Sequence, residues 1–150
     1  MSSYGENSGP AHIVADKVRA TFVLGRAHVE RLKHLVTAQC RADSEQLHVS
    51  TFVVTCALMW VSLIKTQESV ITNLSDEGND KFYYFLFPFD CRNRLEFSIP
   101  ETYLGNCLKP SSTEMKKSEL IGENGFVLAA KAIGSKVKEM EKSGLRGVEN

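Results

Sequence analysis

FPFDCRNRLEFSIPETYLGN, residues 87–106, decides how this chain is read. An aromatic run, Lys81 to Phe89 (KFYYFLFPF), feeds into it and reads as the strongest strand in the sequence. Asp90, Arg92 and Arg94 follow at alternate positions, an acid and two bases placed directly after an apolar strand. Pro88 cannot donate to a β-ladder, so it marks a strand end or a bulge. Pro100, Gly105 and Asn106 punctuate the rest. The Gly-Asn pair reads as a tight turn that needs a positive φ. Residues 90–110 read as irregular, and 107–117 as holding a short strand of open extent.

Upstream, Lys17 to Leu24 (KVRATFVL) alternates, with Val18, Ala20, Phe22 and Leu24 on one side, which predicts a strand. Gly25 breaks it. Ala27 to Gln39 carries Val29, Leu32, Leu35 and Val36 at helical spacing and predicts an amphipathic helix. Residues 40–47 are polar and loop-like. Ser50 stands just before the apolar run Phe52 to Ile64 and suits an N-cap, because its hydroxyl can accept a bond from a first-turn amide. The run's length predicts a helix buried on most sides, with Lys65 at its C-terminus. Residues 68–80 (ESVITNLSDEGND) are acidic and turn-rich, a surface loop. Downstream, Phe126, Ala130, Ile133, Val137 and Met140 fall on one face of a helix that opens at Gly125.

Composition excludes some functions. A chain of 150 residues is long enough for one domain with a core. Its 43% hydrophobic and 24% charged content are those of a soluble globular protein. A formal net charge of zero gives no electrostatic case for nucleic acid or an anionic membrane. The 13-residue apolar run is too short to span a bilayer. Four cysteines, at 40, 56, 91 and 107, form no CxxC pair, and no histidines stand at metal spacing, so no metal site is expected. The cysteines read as reduced and the compartment as cytoplasmic. Residues 1–16 read as a flexible lead-in without a targeting signal.

Four blocks, in order, resemble the plant BAHD acyltransferases. Thr21-Phe22-Val23-Leu24 with Val29 and Leu32-Lys33 resembles their TFxL…IxxLK stretch. Ser50-Thr51-Phe52 with Ala57, Trp60 and Lys65 resembles STFxxxxAxxWxxxxK. Asp90-Cys91-Arg92-Asn93-Arg94 with Tyr103-Leu104-Gly105-Asn106-Cys107 resembles DxRxR…YxGN, and is similar to the YFGNC form of the malonyltransferase branch with Leu104 in place of Phe. Ser118-Glu119-Leu120 with Ala129 to Ile133 resembles SEL…AAxAI. The resemblance spans residues 17 to about 142. It implies an α/β fold, a partial chloramphenicol-acetyltransferase-like architecture with residues 17–150 crossing between two domains at a boundary within 73–101. It further implies transfer of malonyl or a similar acyl group from acyl-CoA, as co-substrate, to a hydroxyl of a phenolic or flavonoid glucoside. A catalytically inactive remnant acting as a binding module is the alternative. In either case apolar surface left uncovered implies self-association.

The family's HxxxDG and DFGWG motifs are absent from these 150 residues. His12-Ile13-Val14-Ala15-Asp16 matches HxxxD, but Lys17 replaces the Gly and the string lies too close to the TFxL block. His12 therefore reads as a solvated side chain, no catalytic residue is assigned, and the chain alone is expected to be inactive. The resemblance points to coenzyme A contact at Ser50, Thr51, Asp90, Cys91, Arg92 and Arg94. Each carries a structural reading beside it. Asp90 and one arginine can form a charge-assisted pair that pins the loop, while the loop backbone meets the ligand. Ser50 can cap its helix while the helix N-terminus faces an anionic group.

Overall fold

The computed structural model describes residues 19–40, 47–71, 81–92 and 99–143. The lead-in, His12, Arg94, most of the 68–80 loop and much of the proposed boundary region lie outside the described residues.

Helix α1, Arg26–Gln39, is followed by α2, Thr51–Ile71. Strands β1, Phe82–Asp90, and β2, Leu108–Lys116, form an antiparallel two-stranded sheet in register Phe82↔Lys116 to Asp90↔Leu108. Then come the short α3, Lys117–Ile121, and α4, Gly125–Ser143. The elements mix helix and sheet, as an α/β fold requires.

The core lies where α2 packs on α4. Val53, Val54, Ala57, Trp60, Val61 and Ile64 of α2 are buried, three- and four-residue spacing that makes one helical face. Opposite them lie Ala129, Ala130, Ile133, Val137 and Met140 of α4, the face expected from sequence, with Phe126 partly buried beside it. Gly134 lets these layers approach: a Cβ there would lie 2.6 Å from the His48 carbonyl oxygen, just ahead of α2. Leu120 of α3 and Val36 of α1 complete the core. Glu119 holds α3 in place, its carboxylate accepting from the Lys116 amide at 3.0 Å.

The sheet covers one side of α2. Phe85 tilts against Trp60 with ring centroids 5.4 Å apart, and Phe87 meets Phe52 edge-on at 5.7 Å. Hydrogen bonds beyond the two ends of the ladder, Lys117 N to Lys81 O and Cys91 N to Cys107 O, set its alternation. Odd-numbered β1 residues occupy the hydrogen-bonded pairs.

Several expectations change. Residues 19–25 form no strand, and Phe22 and Val23 are 93% and 88% exposed. Their alternation specifies two faces, but a strand also needs a partner backbone, and no described strand pairs with them. Helix α2 is not buried on most sides: Met59 and Leu63 face outward, and Phe52 stays part-exposed beside Phe87. It also runs past Lys65 to Ile71, so Lys65 lies inside it rather than at its end. Lys65, Thr66 and Gln67 are compatible with helix, and nothing among them stops it. Pro88 neither ends β1 nor bulges it. It pairs with Pro110, and that parity makes the pair non-hydrogen-bonded. Neither missing N–H costs a ladder bond, and both prolines blunt open sheet edges. Strand β2 is a full nine residues.

Candidate functional site

The described candidate residues lie toward one end of the α2–sheet layer. Along α2, Phe52 contacts Phe87 and the later Trp60 contacts the earlier Phe85. Helix and strand therefore run in opposite senses. The N-terminus of α2, with Ser50 and Thr51, sits toward the end of β1 that delivers Asp90, Cys91 and Arg92. Asp90 is three residues beyond Phe87, about 10 Å along an extended strand. Arg94 lies outside the described residues.

Ser50 Oγ accepts from the Val53 amide at 3.3 Å, and its carbonyl receives the Val54 amide at 3.1 Å. These are the bonds of an N-cap, as the sequence predicts. Thr51 is the exposed first residue of the helix. First-turn amides have no acceptor inside their own helix, so they present donors to whatever lies beyond the end.

At the end of β1 the carboxylate of Asp90 accepts from the Arg92 backbone amide at 3.0 Å, a local turn. The Arg92 guanidinium reaches across the hairpin and donates to the Gly105 carbonyl at 3.0 Å. Arg92 thus clasps DCR to YLGN through main chain, a partner that the sequence did not identify. Gly105 shows no positive φ. A Cβ there would meet the tip of the exposed Tyr103 ring, which can swing aside. Pro100 and Tyr103 close the turn before it, Tyr103 N donating to Pro100 O at 2.9 Å. Cys91 is buried, and its thiol donates to the Phe89 carbonyl at 3.4 Å. The guanidinium of Arg92 is exposed and held by a neutral carbonyl, so its positive charge is presented at the surface.

His48 stands two residues before Ser50, at the same end, while Cys56 and Tyr84 lie further along α2 and on the outer sheet face. His48 Nδ1 is 3.8 Å from Glu141 on α4. Burial pushes the Cys56 thiol up from its ordinary value. Tyr84, on the outer sheet face, holds its proton above the usual phenol range because Glu114, its cross-strand partner, accepts its hydrogen bond and adds negative charge. No helix among the described residues is long and apolar enough to cross a membrane.

Comparison with known proteins shows the family. The sequence model of the Transferase family matches residues 6–149. The chain belongs to that family, the BAHD acyltransferases it resembles. It is similar to coumaroyl-CoA:anthocyanidin 3-O-glucoside-6''-O-coumaroyltransferase 1 of Arabidopsis thaliana, 43% identical over 90% of this chain and 29% of the relative. It is also similar to malonyl-coenzyme A:anthocyanin 3-O-glucoside-6''-O-malonyltransferase of Dahlia pinnata, 40% identical over 84% of this chain and 26% of the relative. Phenolic glucoside malonyltransferase 1 of Nicotiana tabacum is 31% identical over 85% of this chain and 27% of the relative. The chain thus spans under a third of the length of these BAHD relatives.

Proposed function

We propose that this chain contributes the acyl-CoA-facing part of an O-acyltransferase that moves malonyl, coumaroyl or a similar acyl group onto a hydroxyl of an anthocyanin or phenolic glucoside. The observation that carries this is the family match over residues 6–149, with glucoside-acylating relatives at 40–43% identity.

In this reading the α2 N-terminus and the Arg92 turn serve the coenzyme A moiety. The amides of Thr51 and Phe52 offer donors for pantetheine or phosphate oxygens. Arg92 adds positive charge at the same end, while its bond to Gly105 shapes the turn. Asp90 orients Arg92 through its amide, and Cys91 anchors the turn in the core. Arg94 belongs to the same motif. Acyl transfer also needs a base to take the acceptor's proton as it attacks the thioester. His28 and His34 lie on the exposed side of α1, and His48 sits beside Glu141. We assign none of them that role and expect no turnover from the chain assayed alone.

A chimaera tests the reading. This chain replaces the matching segment of the Arabidopsis coumaroyltransferase, and coumaroyl transfer from coumaroyl-CoA to an anthocyanidin 3-O-glucoside is measured. Retained transfer supports the proposal; a folded chimaera without transfer rejects it. Tyr84, Leu86, Met59 and Leu63 leave apolar surface open on the sheet and α2. We propose that the isolated chain self-associates through this surface, which a dilute monomeric sedimentation profile would contradict.

A further inference from the structure

We propose that Cys91 and Cys107 form a redox-sensitive thiol pair that glutathione disulfide closes into an intramolecular disulfide. The β1–β2 register ends at Asp90↔Leu108, and one step further places Cys91 opposite Cys107. The ladder does continue that step, since the Cys91 amide donates to the Cys107 carbonyl at 3.0 Å. Residues directly opposite in an antiparallel pair project to the same face. Here that face is the inner one, shared with Phe85 and Phe87. Both cysteines are unbridged thiols, Cys91 buried and Cys107 half-buried.

The geometry permits a bridge and makes it labile. Hydrogen-bonded pairs hold their Cα atoms about 5.5 Å apart, within the roughly 4.4–6.8 Å that a disulfide spans. Their Cβ atoms sit toward the wide end of cross-strand spacing, beyond the ~3.8 Å typical of a disulfide. Closing the bridge therefore draws the strand ends together and gives up the Cys91 thiol's bond to Phe89 O. Strained bridges are the readily reduced, regulatory kind.

The chemistry balances in two exchanges. Cys107, the more accessible thiol, loses its proton and attacks one sulfur of glutathione disulfide. That S–S bond breaks, and the departing glutathione thiolate takes up a proton. Cys91 then loses its proton and attacks the Cys107 sulfur, expelling the second glutathione as a thiolate that is protonated in turn. Two protein thiols lose two electrons, and one glutathione disulfide becomes two glutathione thiols. The resulting bridge fastens the same two turns that Arg92 and Gly105 join, so the redox state governs their spacing. The pairing rests on register and not on the acyl-CoA reading.

Peptide mapping of the full chain tests it. The protein is equilibrated in reduced or oxidised glutathione buffer, quenched with acid, alkylated and cut with trypsin. Cleavage after Lys81, Arg92, Arg94 and Lys116, with Lys109 protected by Pro110, puts Cys91 in peptide 82–92 and Cys107 in peptide 95–116. The linked pair of peptides is expected to be at least about tenfold more abundant in the oxidised buffer, from protein that stays monomeric on a non-reducing gel. It is lost in Cys91→Ser and Cys107→Ser and kept in Cys40→Ser. A glutathione adduct on Cys107 without the linked peptides overturns the proposal, as does a link to Cys40 or Cys56, or a disulfide between two chains. The measurement on the unsubstituted chain decides the matter even if a serine variant fails to fold.

Discussion

Phe85 and Phe87 on one face of β1 lie against Trp60 and Phe52, whereas Tyr84 and Leu86, their neighbours in sequence, stand in solvent on the other face. All four are large and apolar or aromatic. Alternation decides which two share a face, but a covering element decides which face is core. The same contrast separates α4, whose apolar stripe is sealed by α2, from residues 19–23, which are exposed. In this chain hydrophobicity alone does not forecast burial.

That contrast breaks most visibly at the hairpin. Phe87→Ala removes a buried ring and is expected to cost about 3–5 kcal/mol, whereas Leu86→Ala, one residue away, should stay within ~0.5 kcal/mol. Urea midpoints of the two variants check this, and equal losses would mean that the outer face is covered too. Gly134→Ala sharpens the comparison inside the core. Alanine gains ~1 kcal/mol of helix propensity, but its Cβ would press on the His48 carbonyl, which is backbone and cannot rotate away. A net loss of about 1–3 kcal/mol is expected, and a rise in the melting midpoint would show that α4 yields at no cost. Ser50→Ala is smaller. It removes one cap bond to Val53 and should lower stability by ~1 kcal/mol; restoration in Ser50→Asp, a carboxylate at the same cap, separates the cap from general packing loss.

Local features were legible in the sequence. The Ser50 cap depends on residues three apart, and the Phe126–Met140 face on a single helix period. Glu119, three residues after Lys116, caps α3 by the same short-range logic. What escaped depends on a second piece of backbone. The strand over 18–24 needed a partner that its own alternation does not report. Pro88 looked like a terminator because the parity of the ladder is set by Lys117 and Cys107, far away in sequence. Gly105 reads as a positive-φ turn, yet its φ is not positive and only the movable Tyr103 ring lies near its Cβ position. The Gly105 carbonyl that Arg92 uses is thirteen residues away and becomes visible only when the hairpin closes.

The central claim is that the Arg92 turn serves acyl-CoA, and its most direct test is the kinetics of Arg92→Ala in the chimaera with the Arabidopsis coumaroyltransferase. Loss of the guanidinium removes both a charge and the clasp on Gly105. The expected result is a rise of about tenfold in KM for coumaroyl-CoA, roughly 1.4 kcal/mol of binding, with KM for the glucoside unchanged and Arg92→Lys recovering only part of the loss. An unchanged KM for coumaroyl-CoA, or a loss confined to the glucoside, would contradict it.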